Sequence, residues 1–161
     1  MLKLNSQWRF RALPAPDRRE LRRFAAAAAA AAGLPAEPEW ECNILFVNDA
    51  KMAELNFDLL GHEGTTDVIT FSYFDDGMPY EAGETMVELI INPDAAAREG
   101  AVREGGYATE MALYIVHGLL HSAGEDDLSP GPRARMRRRE RECLAQLEKE
   151  FDFKKLFPET K

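Results

Sequence analysis

The pattern of apolar and polar positions divides the chain into a strand-rich first part and a helix-rich second part. Residues 1–10 alternate weakly and fit an edge strand, whereas Trp40–Val47 turns from alternating to continuously apolar and fits an inner strand. The run 66–73 is rich in β-branched and aromatic residues, and the run 84–92 places its large apolar residues on one face. Four strands are therefore predicted within the first 92 residues.

Helix signals lie between the first strands. Asp17 can cap a helix that ends at Gly33, and Asn48 or Asp49 can cap a shorter helix that runs through Leu60. A capping side chain accepts a hydrogen bond from an otherwise unpaired backbone amide, and glycine tolerates the left-handed conformation that ends many helices.

The second part of the chain is predicted to be mostly helical. Asn92 and Pro93 fit the cap and the first position of a helix that ends near residues 105–106. The next segment, 107–124, is apolar nearly all round, which is typical of a central helix covered on several sides. A last amphipathic helix is predicted after residues 130–132.

This order of elements predicts an α+β fold in which helices pack against one small mixed sheet of about four strands. The length of 161 residues suits one core, so residues 1–161 are expected to form a single domain. A polar loop is predicted at residues 75–79, and the tail from Phe151 onward is expected to be partly ordered at best.

Two of the three histidines, His117 and His121, are four residues apart within the predicted central helix. Side chains at this spacing project from the same helix face, so both imidazoles can bind one metal ion. Gly124 can end the helix and turn the chain back, which brings Asp127 within reach as a third ligand. Two ordinary core histidines are the alternative, but they would need neither this helix end nor this carboxylate.

Three protein ligands with an open fourth position are typical of a catalytic zinc site. Imidazole and carboxylate ligands fit zinc best and are also compatible with nickel, cobalt or iron. In the zinc-protease pattern H-E-x-x-H-x-x-G-x-x-H, Gly118 takes the place of the glutamate base and Asp127 that of the third histidine. One zinc ion on His117, His121 and Asp127 is therefore predicted.

Composition narrows the range of partners. The chain is 45% hydrophobic with a net charge of −8, and no apolar run reaches the length of a membrane span. Cys42 and Cys143 form no C-x-x-C pair and are expected to be reduced core residues without a disulfide partner. The alanine run at residues 25–32 is too weakly hydrophobic and too far from Met1 for a secretory signal. A cytoplasmic protein without a membrane partner is predicted.

The negative charge is concentrated in the middle of the chain. Residues 41–127 hold 18 acidic and three basic side chains, whereas residues 128–161 hold six acidic and ten basic ones. A basic run on the last helix, with Arg137 and Arg138 at its centre, is the predicted contact with RNA phosphates. The alternative is a solvated helix face whose arginines pair with neighbouring glutamates such as Glu140.

The stretch HGLLHSAGEDD at residues 117–127 follows most of the signature H-G-x-L-H-L-x-G-x-D-H. Asn56, followed by TTDVITF at residues 65–71, is similar to a helix-ending asparagine followed by P-T-D-V-L-S-F. Both patterns belong to the YbeY family of bacterial zinc-dependent endoribonucleases, the rRNA maturation factors, and the chain resembles that family over about residues 40–130.

The resemblance implies a metal-dependent, single-strand-specific endoribonuclease that holds one zinc ion. It also implies ribosomal RNA or the ribosomal subunit as partner, in rRNA maturation and ribosome quality control. Two positions depart from the family. Asp127 replaces its third zinc histidine, and a carboxylate can still ligate zinc. Leu60 replaces an arginine, and leucine cannot bind phosphate as a guanidinium does.

Three functional hypotheses follow. The endoribonuclease is the leading one, and the absent arginine and the acidic middle favour a non-catalytic, ribosome-associated metal-binding module as the second. A metalloprotease-like hydrolase is disfavoured because Gly118 cannot act as a base. Asp126, or else Glu125, is the candidate general base, and Thr66 and Asp67 are candidate substrate-binding residues. The alternative for Asp126 and Glu125 is to orient a ligand histidine or to solvate the turn, and the alternative for Thr66 and Asp67 is ordinary capping.

Overall fold

The chain folds around one sheet whose strands are β1 (Leu2–Arg9), β2 (Trp40–Val47), β3 (Val68–Ser72) and β4 (Thr85–Ile91). The computed structural model describes residues 2–74 and 79–160. The spatial order is β1-β2-β4-β3, with β2 parallel to both β1 and β4 and with β3 antiparallel to β4. The predicted mixed sheet of four strands is confirmed, with the first strand at an edge and the second inside.

Helices pack against this sheet and complete the predicted α+β fold. They are α1 (Arg18–Ala32), α2 (Asp49–Leu60), α3 (Pro93–Gly100), α4 (Gly106–Ser122), α5 (Pro130–Glu148) and α6 (Phe153–Leu156). α4 contacts β3, β4, α1 and α5, so it is the central helix that its apolar sequence predicts. Within residues 2–74 and 79–160, no helix combines the length and the hydropathy needed to cross a membrane.

Side-chain caps determine where the first helices begin. The Asp17 carboxylate accepts a hydrogen bond from the backbone N–H of Glu20 at 2.9 Å. The Asn48 side chain accepts one from the backbone N–H of Lys51, also at 2.9 Å. Asn48 rather than Asp49 is therefore the cap of α2, and the Asp49 carboxylate remains available to other parts of the fold.

A fully buried side chain, Asn92, ties the loop before β3 to α2. Its amide donates to Asp49 Oδ1 at 2.7 Å and to the Thr66 carbonyl at 3.1 Å, and its backbone N–H donates to the Asp67 carbonyl. The hydrogen bond from Arg98 lowers the pKa of Asp49, which keeps this carboxylate ionised. The network fixes the loop that carries Asp67 and leaves β3 to begin at Val68, later than predicted.

The tail differs from its predicted partial order, because its aromatic side chains pack against α1. Phe151, Phe153 and Phe157 are buried and meet the Phe24 ring edge-on, with ring centroids 5.4, 5.8 and 6.3 Å away. The positions that follow Phe24 on α1 are alanines, which bury little apolar surface by themselves. The tail supplies the bulk that this helix lacks. The loop predicted at residues 75–79 lies almost wholly outside the described residues.

Two buried thiols lie in the described part of the chain, at Cys42 and Cys143, and both are free. Burial raises the pKa of the Cys42 thiol to about 12. This cysteine is therefore a protonated core residue at neutral pH.

Helix α4 lies directly on the sheet at Gly118. A Cβ atom at this position would be 2.5 Å from Leu89 Cδ2 and 3.0 Å from Thr70 Oγ1, closer than carbon atoms normally approach other heavy atoms. Leu89 is buried in the core, where side chains are closely packed. The missing side chain at residue 118 therefore sets the distance between the helix and the sheet.

Gly118→Ala is expected to lower the free energy of unfolding by about 1–3 kcal/mol, because the added methyl group overpacks this contact. Gly131→Ala is the matched control on α5, since a Cβ there would meet nothing within 4 Å and alanine favours helix. Denaturant unfolding of both variants measures the difference. A Gly118→Ala protein as stable as the control would contradict the close contact.

Candidate metal centre

The side chains of His117 and His121 converge on the same side of α4. Their Nε2 atoms lie 3.0 Å apart, and their rings are nearly perpendicular, at 83°. The side chains are 23% and 27% exposed, so both rings are held by the protein and still reach the surface. The spacing of four residues thus places two potential ligand nitrogens together, as predicted.

Asp127 completes a group of three possible ligands. α4 ends at Ser122, and Gly124 turns the chain back with a left-handed φ of 102°. Asp127 Oδ2 then lies 3.8 Å from His117 Nε2, and Oδ1 lies 3.8 Å from His121 Nε2. Ligands at about 2.0–2.1 Å from a tetrahedral zinc ion are about 3.4 Å apart. The three side chains therefore form a possible site for one metal ion.

The ring nitrogens that point away from this centre also have partners. His117 Nδ1 lies 2.5 Å from Glu140 Oε2, and His121 Nδ1 lies 3.0 Å from the carbonyl oxygen of Glu125. Each of these oxygens accepts a hydrogen bond from a protonated Nδ1, which leaves the Nε2 lone pair free for a metal ion. The surrounding residues thus set both the orientation and the tautomer of the two histidines.

Glu140 is a functional residue that the sequence pattern did not reveal. The sequence predicts a surface partner for arginines, whereas in the structure Glu140 is only 8% exposed and reaches His117 from α5. One signal was available, because Glu140 lies four residues after Met136 and three before Cys143, both of them buried. A carboxylate on the apolar stripe of an amphipathic helix requires a specific partner.

Opposing effects act on the pKa of His117. Burial of the ring lowers the pKa, but the hydrogen bond to Glu140 and the charges of Glu140 and Asp127 raise it above its usual value. The same carboxylates stabilise positive charge at this position, whether a proton or a metal ion carries that charge.

Two cavities meet the metal centre at His117. One, the Leu60 cavity, has a volume of about 310 Å³ and is lined by Leu60, Val68, Ile69, Thr70, Ser72, His117 and His121. The other, the arginine cavity, has a volume of about 250 Å³ and is lined by Asp67, Val68, Arg103, Leu113, Tyr114, His117, Asp127, Arg133, Met136, Arg137 and Glu140. The metal centre therefore borders one cavity of mixed polarity and one that holds three arginines.

Of the four predicted substrate-binding residues, two line a cavity at the metal centre and two do not. Asp67 and Arg137 line the arginine cavity, next to His117. Thr66 precedes Asp67 in the loop before β3, and Arg138 is exposed, with its Nε atom 3.8 Å from a carboxylate oxygen of Glu142. Contact of any of the four with RNA stays a prediction, and the positions of Asp67 and Arg137 favour these two.

The acidic turn before Asp127 is held by hydrogen bonds and an ion pair. The Glu125 carboxylate pairs with Arg135 at 3.1 Å. Asp126 is exposed, and its carboxylate accepts a hydrogen bond from the backbone N–H of Leu128 at 3.1 Å. This hydrogen bond stabilises the turn, and a catalytic role for Asp126 stays a prediction.

The chain is similar in sequence to a family of known proteins. The family model described as endoribonuclease YbeY matches residues 5–148. Endoribonuclease YbeY of Elusimicrobium minutum is 35% identical over 115 residues, which are 70% of this chain and 78% of that protein. Those of Anaeromyxobacter sp. and Rhodopirellula baltica are 35% and 37% identical, over 81% and 73% of this chain. The matches span only 64% and 59% of these two longer relatives.

A solved structure shows the same fold. The solution structure of a Thermotoga maritima protein superposes with a TM-score of 0.51, at 18% identity, over 92% of this chain and 93% of that one. Fold and site together define an α+β protein whose possible metal site lies between the central helix and the turn that follows it. The chain belongs to the YbeY family, since the family model spans most of its length.

Glu140→Gln is expected to weaken zinc affinity about 10–100-fold, because carboxylates that orient a ligating histidine contribute on this scale. Glu142→Gln is the matched control, since Glu142 is an exposed residue of the same helix and pairs only with neighbouring arginines. Competition with a zinc chelator measures both affinities. Equal affinity in the two variants would show that the hydrogen bond from His117 to Glu140 does not support metal binding.

Proposed function

We propose that this protein is a metal-dependent, single-strand-specific endoribonuclease in ribosomal RNA maturation and ribosome quality control. The observation that carries the proposal is the convergence of two histidine nitrogens and a carboxylate beside a cavity with three arginines. The name endoribonuclease, which the curated relatives bear, supports the same reaction class. Ribosomal RNA or the ribosomal subunit is the proposed partner, and the cytoplasm is the proposed location.

Zinc is the proposed metal, with His117, His121 and Asp127 as its ligands. Two imidazoles and one carboxylate form a ligand set found at catalytic zinc sites. A zinc ion held there would polarise a phosphoryl oxygen and activate a water molecule near neutral pH. Asp127 adds a negative charge where the family signature has a histidine, so this ligand set reduces the net positive charge of the site.

The contact at Gly118 argues against peptide hydrolysis. Zinc proteases of the H-E-x-x-H type carry their glutamate base directly after the first histidine. In this protein, residue 118 has no room even for a Cβ atom, because Leu89 and Thr70 lie against it. A side chain that accepts a proton must therefore come from another element, and Asp67 is a carboxylate that lines the arginine cavity.

The arginine cavity brings three guanidinium groups next to the metal centre. Arg133 donates to the carbonyl of Asp127 at 3.2 Å, and Arg103 pairs with the buried Glu110 at 3.4 Å. The Arg137 side chain has neither a hydrogen bond nor an ion pair within the described residues. Its guanidinium is therefore available to bind an RNA phosphate next to the metal centre.

Leu60 favours a second function, that of a non-catalytic, ribosome-associated module that keeps the metal site. This residue stands at the position of the family arginine and lines a cavity with both histidines. Its apolar side chain cannot stabilise the negative charge that develops on phosphate during cleavage. Cleavage by the metal-loaded protein decides between the two functions.

Zinc-loaded protein is expected to cleave a single-stranded fragment of ribosomal RNA, and a chelator is expected to abolish cleavage until zinc is restored. The His117→Ala, His121→Ala double variant should lose both metal and cleavage, because each substitution removes a ligand. Elemental analysis and gel-based cleavage assays measure the two properties. RNA binding without any cleavage by the zinc-loaded protein would favour the non-catalytic module.

The identity of the third ligand is tested in the same assay. Asp127→Ala is expected to weaken zinc affinity, whereas Asp126→Ala should leave it unchanged, since only Asp127 is grouped with the two histidines. If Asp126→Ala weakens zinc affinity and Asp127→Ala does not, the third ligand is Asp126.

Arg137→Gln is expected to weaken RNA binding and to reduce the slope of log affinity against log salt by about 0.7, the value for one phosphate contact on a single strand. A smaller effect is expected from Arg138→Gln, because Arg138 lies beside Glu142 and outside the cavity. Binding measured at several salt concentrations gives both slopes. If both variants have the slopes and affinities of the unmodified protein, the arginine-bearing face of α5 does not contact RNA phosphates and is ordinary solvated surface.

A further inference from the structure

Tyr114 carries a hydroxyl group that packing does not explain. The residue lies one helical turn before His117 on α4 and is only 3% exposed. Its hydroxyl is buried and has no hydrogen-bond partner within the described residues. A buried hydroxyl without a partner destabilises a fold, and phenylalanine would fill the same space without that cost. The fold thus keeps an unpaired donor beside the metal centre.

The surroundings of Tyr114 suit an anion once the metal site is filled. The arginine cavity that Tyr114 lines contains three arginines and the carboxylates of Asp67, Asp127 and Glu140, and Glu99 and Glu110 pair with Arg103 at its edge. A divalent ion on the three ligands would add two positive charges to this region and offset its excess of carboxylates. A group with negative charge and several acceptor oxygens, such as phosphate, would then be attracted to it.

We propose that the arginine cavity is a binding subsite for the RNA phosphate next to the scissile one, with the Tyr114 hydroxyl and the Arg137 guanidinium as donors. The proposal rests on the proposed ribonuclease function, because it requires the scissile phosphate to lie at the metal centre. His117 borders both the metal centre and this cavity, so one strand can occupy the two together.

Two properties of the site support this role. Burial raises the pKa of Tyr114, and the charges of Asp67 and Glu110 raise it further, so the phenol stays protonated and remains a donor. The hydroxyl is covered in this structure, but Arg103 and Arg137 at the cavity are exposed. Exposed side chains change rotamer within nanoseconds, so these two guanidinium groups can rearrange around a phosphate that enters the cavity.

The test compares two tyrosine variants on the same helix. Tyr114→Phe removes the hydroxyl at the cavity, and Tyr107→Phe removes another buried, unpartnered hydroxyl that lies outside it. The probes are 2′-deoxy dinucleotides and trinucleotides, which have one and two internal phosphates, and chromatography after each measurement checks that they are intact. Their inhibition constants are measured in competition with a labelled RNA on zinc-loaded protein.

We expect Tyr114→Phe to raise the inhibition constant of the trinucleotide about tenfold or more, because one hydrogen bond to a charged group has an effect of this size. The inhibition constant of the dinucleotide should not change. Tyr107→Phe should bind both probes as the unmodified protein does. Both variants should be at least as stable to heat, since each loses an unpaired buried hydroxyl. Zinc content should not change in either.

If Tyr114→Phe leaves the inhibition constant of the trinucleotide unchanged, the proposed subsite is wrong. It is also wrong if Tyr114→Phe and Tyr107→Phe weaken trinucleotide binding equally. If the unmodified protein cleaves RNA in the presence of zinc, either result leaves the proposed function intact. If it neither binds nor cleaves RNA with zinc, the proposed function fails and the subsite fails with it.

Discussion

The metal centre depends on the close contact between α4 and the sheet at Gly118. Because residue 118 has no side chain, the helix backbone packs directly on Leu89 and Thr70. His117 and His121 then lie beside β3 and under the turn that carries Asp127. Glu140 orients His117 from the opposite helix, so the ligands are held by packed elements on more than one side. Such preorganisation is what a metal site requires for affinity and for reactivity.

Features that depend on neighbouring residues were predictable from the sequence. The pair of histidines follows from a spacing of four on a helix, and Asp127 follows from a glycine that ends the helix nearby. The cap at Asp17, the choice between Asn48 and Asp49 as the next cap, and the order of strands and helices also rest on short stretches of chain. The family resemblance added the expected reaction, which neither spacing nor periodicity could supply.

Features that join distant segments were not predictable in this way. Glu140 and His117 are 23 residues apart, and nothing near either one indicates the other. Arg103 lines the arginine cavity from the loop between α3 and α4, although it lies in the most acidic part of the sequence. The tail packs on α1 through contacts between residues more than 120 positions apart. Nothing in the sequence near the tail indicates this partner, so the sequence predicted only partial order there.

That packing has a consequence for how the protein is made. Phe24 belongs to an early helix that is otherwise built largely of alanine, and the three rings that cover it are among the last residues of the sequence. During translation Phe24 is therefore made more than 120 residues before the three rings that pack on it. Helix α1 can pack on β1 as soon as both are made, but the side that bears Phe24 is enclosed only after residues 151–157 have been made.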